Sequence, residues 1–277
     1  MRYLEAAAGA PAGSERFRPR DLARLDRASL RLLLEPGPSA PPLEDVAAAL
    51  AGEPRALQAI VAALPPARGE RLLRLSRRPR PDADRRAAGE RLVRGAFWYL
   101  AYELAAHLWE RLAHAELIAP PLVADLPADA ARVLDVAAGT GRLTAALAPR
   151  AARVVAIEPC APLRRVLRRR LPAVAVVAAE GRHLPVASGW ADLVASCAAF
   201  GPHPPLGGEG VVAELERCCR PGGTVALVSP EEPAWWERRG YALRVYPEPV
   251  VRFDPDVEAF FGPPHPPHRL LYKRLAT

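Results

Sequence analysis

Residues 132–144 read RVLDVAAGTGRLT, and this stretch decides the fold. Three apolar residues and one acid, Asp135, predict a short buried strand, after which Leu143 and Leu147 follow at helical spacing. Between them stands the glycine turn 139–141, so the glycines mark the point where a strand passes into a helix. Such a junction presents backbone N–H groups and a helix N-terminus, and glycine lets a ligand approach closely. The stretch predicts a nucleotide-type binding turn, with an ordinary strand-to-helix loop as the alternative.

The turn lacks the third glycine of the dinucleotide fingerprint G-x-G-x-x-G, because Thr144 occupies that position. It resembles instead motif I of the class I S-adenosylmethionine-dependent methyltransferases, usually written (V/I)LD-x-G-x-G-x-G. Alanine stands at position 137, where that family most often has its first glycine. We expect this departure to be mild, because one methyl group is small, although it leaves less room at the start of the turn. The resemblance implies S-adenosyl-L-methionine as cofactor, bound at Asp135, Ala137, Ala138, Gly139, Thr140 and Gly141.

Two further acids follow in the order that this family has. A second apolar strand, 153–158, ends in Glu158, where the family's acid accepts hydrogen bonds from the ribose diol. NAD enzymes use the same device, so Glu158 indicates an adenosine ligand without choosing between cofactors. A third strand, 173–179, leads into Glu180 and Gly181, which resemble the segment whose acid receives the adenine amino group.

The remaining segments complete the resemblance. Residues 191–196 resemble the motif IV strand and add Ser196 to the implied cofactor site. Residues 214–230 resemble the helix, Pro-Gly-Gly turn and strand that follow, and 241–246 and 269–275 suit the last two strands. The resemblance therefore implies an α/β fold with a Rossmann-like, doubly wound sheet of seven strands in the order 3-2-1-4-5-7-6. Strand 7 is expected to be antiparallel, and an α-helical N-terminal region to be appended.

The methyl acceptor is less well marked. A long helix is predicted over 82–114, and its second half resembles a segment that caps the cofactor in many small-molecule methyltransferases, which makes Tyr102 and Trp109 candidate pocket walls. Seven residues apart on one helix face, they also suit plain core packing. After strand 4 the N/D-P-P-Y/F signature is missing, and Phe200 is a third candidate for the substrate pocket. His203 is a candidate general base for a hydroxyl acceptor, with a solvated loop histidine as the alternative.

Length and composition suggest three segments. The chain has 277 residues, half of them apolar, which allows one substantial core and a smaller appended one. We expect disorder over 1–20, an Arg/Ala/Pro-rich helical region over 21–96 and the methyltransferase domain over 97–277. Residues 68–94 hold ten arginines and four acids, which suits either an RNA-facing patch or a solvated helix face. The solvated face is favoured, since no stacking aromatics interleave with the arginines.

The cysteines and the N-terminus indicate the cellular compartment. Four cysteines occur without C-x-x-C or paired-histidine spacing, so no metal site is predicted and the thiols suit a reducing compartment. The sequence begins MRYLE, and this early acid argues against a signal peptide. It contains no run of about 18 apolar residues, so no membrane span is predicted. We therefore expect a cytoplasmic protein that has a small-molecule acceptor and no membrane partner. The sequence does not predict its oligomeric state.

Three functions are weighed: a small-molecule methyltransferase, an RNA methyltransferase that uses the basic N-terminal region, and a non-catalytic cofactor-binding relative. The acids at positions 135, 158 and 180 argue against the third. No RNA-binding module is recognisable, which argues against the second. The sequence favours methyl transfer to a small molecule and does not name the acceptor.

Overall fold

A computed structural model describes residues 19–24, 27–34, 41–103, 105–202, 206–261 and 263–277. His203 and residues 1–18 of the predicted disordered segment lie outside the described residues. Contacts divide the described chain into two compact units. The first comprises the described residues of Met1–Ala105 and Pro255–Pro263, and the second those of Ala106–Asp254 and Pro264–Thr277. The predicted domain boundary at residue 97 remains a prediction.

The first unit is helical, as the N-terminal pattern predicts. It opens with a 3-10 turn at Pro19–Arg24. Its helices are α1 (Arg27–Leu34), α2 (Leu43–Ala49), α3 (Pro54–Ala63), α4 (Pro66–Ser76), α5 (Asp82–Glu103) and, from the distant segment, α12 (Pro255–Phe261). Proline opens α3 and α4, where a missing N–H costs little. Buried leucines and alanines between Leu22 and Leu92 form its core.

The prediction of one helix over 82–114 is wrong. Helix α5 ends at Glu103, and a separate helix, α6 (Ala106–Ala115), begins three residues later. No proline or glycine lies at the break, so the sequence carried no local signal for it. Helix limits depend largely on tertiary packing, and here the residues on either side belong to different units. Tyr102 and Trp109 therefore do not share a helix.

The second unit contains the sheet that the resemblance implies. Its strands are β1 (Arg132–Val136), β2 (Arg153–Ile157), β3 (Ala175–Val177), β4 (Ala191–Cys197), β5 (Cys219–Val228), β6 (Ala242–Val245) and β7 (Arg269–Arg274). Their order is β3-β2-β1-β4-β5-β7-β6, and β7 runs antiparallel to both neighbours. The predicted fold class and strand order are confirmed. Strand β5 begins before the Pro-Gly-Gly turn, and its pairing with β4 shifts register between Ala191 and Leu193.

Apolar side chains alternate between two cores, one on each face of this sheet. Leu134, Val136, Val194 and Leu227 enter one core, whereas Val133, Leu193, Ala195 and Ala226 enter the other. The helices of this unit are α6, α7 (Pro120–Ala124), α8 (Arg142–Leu147), α9 (Ala161–Arg170), α10 (Gly208–Cys218) and α11 (Pro233–Glu237). Among the described helices, none combines the length and apolarity that crossing a membrane requires.

Backbone strain is concentrated at one edge of the sheet. The carboxyl ends of β1, β4 and β5 lie at this edge, and each is followed by a non-glycine residue with left-handed φ. These residues are Ala137 (φ 59°), Ala198 (φ 53°) and Ser229 (φ 44°). Such conformations cost free energy and cluster where ligands bind, and in parallel sheets the carboxyl edge is the usual ligand side. The backbone conformation therefore indicates the carboxyl edge of the sheet as the candidate ligand side.

Candidate functional site

The glycine turn joins β1 to α8 and is held by backbone hydrogen bonds. The Ala138 N–H donates to the Ile157 carbonyl at 2.9 Å, and the Gly141 N–H donates to the Ala138 carbonyl at 2.9 Å. Gly139 and Gly141 have φ of 58° and 92°, where side chains are strained. A Cβ at Gly141 would also lie 2.4 Å from Leu167 Cδ1 of α9. The turn therefore needs glycine at position 141 for both conformation and packing.

We expect Gly141→Ala to lower the free energy of unfolding by about 2 kcal/mol or more, because left-handed strain and overpacking add. Urea denaturation would measure the loss. Gly240→Ala is the matched control: Gly240 has φ 82°, but its Cβ would find only Lys273 Cε, at 3.8 Å. The control should lose only the conformational part, about 1 kcal/mol. Equal losses in the two variants would contradict the packing argument.

Alanine at position 137 destabilises the turn more than its small side chain suggests. The sequence led us to expect a mild effect with less room at the turn, but φ of 59° places Ala137 in the left-handed region. The cost is conformational, since a Cβ crowds the backbone there. The family's glycine at this position thus has a physical reason that the sequence comparison alone did not provide.

Ala137→Gly should raise the free energy of unfolding by about 0.5 to 1 kcal/mol, because the relief of left-handed strain exceeds the added flexibility of the unfolded chain. Ala138→Gly is the control, since Ala138 has no positive φ and is buried. Ala138→Gly should lower the free energy of unfolding by about 1 kcal/mol. Urea denaturation of both variants would show opposite signs, and a destabilised Ala137→Gly would refute the argument.

Glu158 follows β2 and is buried against the glycine turn. One carboxylate oxygen accepts the Gly139 N–H at 2.9 Å, and the other accepts the Cys160 N–H at 2.7 Å. The predicted ribose acid thus lies beside the turn and binds its backbone. Hydrogen bonds to a charged acceptor are among the stronger ones in proteins, so this carboxylate helps to fix the turn.

Asp135 is fully buried in β1. One oxygen accepts the Thr144 hydroxyl of α8 at 2.5 Å, and the other, Oδ1, has no hydrogen-bond partner among the described protein groups. Burial raises the pKa of Asp135 to about 7, and the nearby Glu158 charge adds to this although the Thr144 hydrogen bond opposes it. Thr140 Oγ1 is likewise buried and without a partner. Two orphaned polar atoms beside one turn are typical of a ligand site.

A small cavity lies at this turn. Asp135 and residues 137–140 form its floor, and Trp109, Leu112 and Ala113 of α6 form a wall; Arg142, Leu143 and Cys197 complete it. A Cβ on Gly139 would lie 3.2 Å from Trp109 Nε1, so the indole closely approaches the turn. The structure thereby brings the predicted pocket residue Trp109 together with the predicted cofactor residues.

Sequence reasoning missed an ion pair at this cavity. Arg142 Nη1 donates to Glu116 Oε2 at 2.8 Å, and both side chains are largely buried. Arg142 Nη2 also lies 3.6 Å from Cys197 Sγ. Arg142 directly follows the glycine turn, which was the one available signal, whereas nothing in the sequence marked Glu116. Burial raises the pKa of Cys197 despite the guanidinium, so its thiol stays protonated at neutral pH.

Other predicted site residues lie elsewhere. Phe200 belongs to a core cluster and packs on Gly181, whose Cβ would lie 2.8 Å from the ring. Glu180 is half-buried after β3, and Ser196 is buried with a hydroxyl that has no partner in the described chain. Neither residue lines the cavity, and neither does Phe200. Tyr102 belongs to the first unit, and His203 lies outside the described residues.

These features define a class of protein: a doubly wound α/β domain with a nucleotide-type turn after β1 and a buried acid after β2. Comparison with known proteins identifies the family. Residues 133–223 match a family model described as a methyltransferase domain. Together with the strand order, this match confirms the resemblance: the domain that these residues form belongs to the class I methyltransferases.

Relatives of known sequence are similar over part of their length. An uncharacterised methyltransferase of Mycobacterium tuberculosis is 36% identical over 123 residues, which are 43% of this chain and 49% of the relative. A demethylmenaquinone methyltransferase of Beutenbergia cavernae is 33% identical over 125 residues, 44% of this chain and 51% of the relative. The chain thus spans about half the length of these curated relatives.

Among solved structures, an amino pentose methyltransferase from Micromonospora echinaspora with bound S-adenosylmethionine is 27% identical. The similarity covers 48% of this chain and 52% of that one, with a TM-score of 0.33.

Proposed function

We propose that the chain transfers a methyl group from S-adenosyl-L-methionine to a small-molecule acceptor. The observation that carries the proposal is the turn after β1. Asp135 and Thr140, which each have an orphaned polar atom, line one cavity there, and the buried acid Glu158 accepts the Gly139 N–H of the turn. This arrangement stands at the carboxyl edge of a sheet whose order is that of the class I methyltransferases. An ordinary strand-to-helix loop would have no reason to leave Asp135 Oδ1 and Thr140 Oγ1 unpaired.

The residues present fit this cofactor in chemical type. Glu158 offers two carboxylate oxygens to a ribose diol, the turn offers backbone N–H groups, and Glu180 offers an acceptor to the adenine amino group. When bound, the cofactor supplies a methyl group already activated on a sulfonium sulfur. The protein's tasks are therefore to bind, align and exclude water. Trp109 and Leu112 cover the turn and are placed to exclude water from it.

The acceptor's deprotonation is the step that the chain leaves open. A hydroxyl acceptor needs a general base, whereas an amine that is already neutral does not. His203 follows β4 and remains the candidate base. Cys197 is a poor alternative, since burial keeps its thiol protonated at neutral pH. We propose that turnover requires His203 when the acceptor must lose a proton, and does not require it for other acceptors.

The RNA alternative has less support. In the arginine-rich segment 68–94, for which the sequence favours a solvated face, Arg71 pairs with Glu44 at 2.8 Å, and Arg85 pairs with Asp82. On α9, Arg168 and Arg170 donate to the backbone carbonyls of Val176 and Thr140, so they support the fold. Phosphate binding needs arginines whose donors are available. One relative is named for demethylmenaquinone, a small molecule, which favours the first proposal.

Calorimetry and a labelling screen test the proposal. The purified full chain should bind S-adenosylmethionine and its demethylated product one to one, and should not bind NADH. With radiolabelled methyl donor, label should appear in host metabolites; label found only in RNA would refute the small-molecule proposal. The four free thiols support a reducing, cytoplasmic setting, which we propose for the assay conditions.

A further inference from the structure

Large apolar side chains are exposed at few places in the described chain. Four have more than a third of their surface exposed: Leu117 (39%), Val245 (63%), Phe253 (78%) and Val250 (87%). Single exposed apolar residues are common on protein surfaces and need no explanation. Here the informative feature is their location, because all four belong to the second unit. We call these four residues the apolar rim.

Strand pairing places one rim residue, Val245, at the carboxyl edge of the sheet. The end of β5 pairs with the start of β7, Val228 opposite Leu270, and the end of β6 pairs there too, Val245 opposite Arg269. Val245 therefore lies at the edge where β1, β4 and β5 end. Val250 and Phe253 follow within eight residues, on the segment that leaves this edge.

Leu117 is tied to the same edge. Backbone bonds join the connection after α6 to the segments that flank β6 and β7: Arg252 N–H donates to the Ala115 carbonyl, and Ala119 N–H donates to the Pro267 carbonyl. Arg111 of α6 also makes a two-point ion pair with Asp254, at 2.7 and 2.8 Å. These contacts bring the segment that carries Phe253 next to the end of α6, close to Leu117.

The rim is linked to the cavity by a polar bridge. Glu116, adjacent to Leu117, accepts the Arg142 guanidinium at the cavity and the His265 N–H at 2.8 Å from the segment before β7. Leu112 and Ala113, one turn earlier, line the cavity. One helix, α6, thus forms the cavity wall and leads directly into the rim. A molecule that extends from the cavity past the end of α6 would meet Leu117 and the segment of Phe253 first.

Two other occupants of such a surface fit less well. A stable contact with a second copy buries about 800 Å² on each partner, from 20 to 30 residues, far more than four side chains supply. A membrane surface calls for a cluster of basic residues beside the apolar ones. Here acids accompany the arginines: Asp254 is paired with Arg111, and Glu248 lies 3.6 Å from His268.

We propose that the methyl acceptor is an apolar small molecule, with an aromatic or hydrocarbon body that rests on the apolar rim while its reactive atom faces the cavity. This inference rests on the proposed function and names the substrate class of the same site. The rim contributes contact with the acceptor and none with the cofactor. Changes at the rim should therefore affect acceptor binding alone.

The test uses the full chain and a neutral aromatic dye, Nile red, as probe. The double variant Val250→Ser/Phe253→Ser should bind the dye about tenfold more weakly, which corresponds to about 1.4 kcal/mol, since two partly covered apolar side chains lose their contact with it. Both residues are exposed, so the fold should tolerate the change. Arg165→Ser, on the exposed side of α9, is the control and should bind dye like the parent. Calorimetry with the demethylated cofactor should give equal affinity in all three proteins.

Labelled methyl donor then separates acceptor classes. Neutral aromatic acceptors, such as naphthols and hydroquinones, should be methylated in preference to amino acids and sugars, and the double variant should raise KM about tenfold with kcat nearly unchanged. Equal dye binding by variant and parent, or label only in polar acceptors, would overturn the inference while leaving the proposed function intact. So would a parental dimer, or vesicle binding, that the double variant abolishes. A parent that binds no cofactor would instead refute the proposed function.

Discussion

Between pH 4 and pH 8, the free energy of unfolding should fall by about 4 kcal/mol more in the wild-type chain than in Asp135→Asn. Burial raises the pKa of Asp135 from its ordinary 3.8 to about 7. Over this range the folded chain holds a proton that the unfolded chain has released, so stability falls as the pH rises. Each pH unit of that window is worth about 1.4 kcal/mol. Asparagine does not titrate, so the variant should lose this slope.

Urea denaturation at several pH values would measure the difference between the two proteins. Other groups, such as Glu214, whose pKa is lowered to about 2 chiefly by its hydrogen bond with Arg217, titrate in both proteins and cancel in the comparison. Asparagine keeps an oxygen for the Thr144 hydroxyl, so the variant should fold. Parallel pH profiles for wild type and variant would show that Asp135 is ionised in the folded protein at low pH. The burial argument would then fail.

The sheet was predictable because its signals are local and occur in order. Each strand is a short apolar run, the glycines mark the first strand-to-helix turn, and the acids at 158 and 180 follow successive strands. The break between α5 and α6 was not predictable, since Leu104 and Ala105 are good helix formers and contacts distant in sequence decide where the helix ends. The same holds for α12, which joins the first unit from residues 255–261.

The candidate site was predicted in part for a similar reason. Motif residues at the turn and Trp109 lie together in the structure, because the turn and the preceding helix both meet the carboxyl edge. Arg142 and Glu116 were missed, since an ion pair between residues 26 apart leaves no periodic trace. Phe200 was predicted at the pocket from its place after β4, but its ring fills the space above Gly181 in the core. Position in a motif order does not reveal the direction of a side chain.

Glu158→Ala should weaken the binding of S-adenosylmethionine by about 1 to 3 kcal/mol, or about fivefold to more than a hundredfold in Kd. Two losses combine. The ribose hydroxyls lose a charged acceptor, and the Gly139 and Cys160 N–H groups lose the oxygens that now hold the turn. Calorimetry would measure the affinity, and hydrogen exchange at these two amides should become faster even without cofactor.

The exchange measurement separates the two roles of Glu158. Glu158→Gln keeps the size of the side chain and one carbonyl oxygen, so it can still accept one of the two N–H groups. We expect its amide exchange to lie between those of the parent and Glu158→Ala, with cofactor affinity reduced as well. Glu209→Gln is the control, because Glu209 is an exposed acid paired with Arg239 and should leave binding unchanged. If Glu158→Ala bound the cofactor as the parent does, Glu158 would be only a structural support of the turn, and its assignment to the ribose would be refuted.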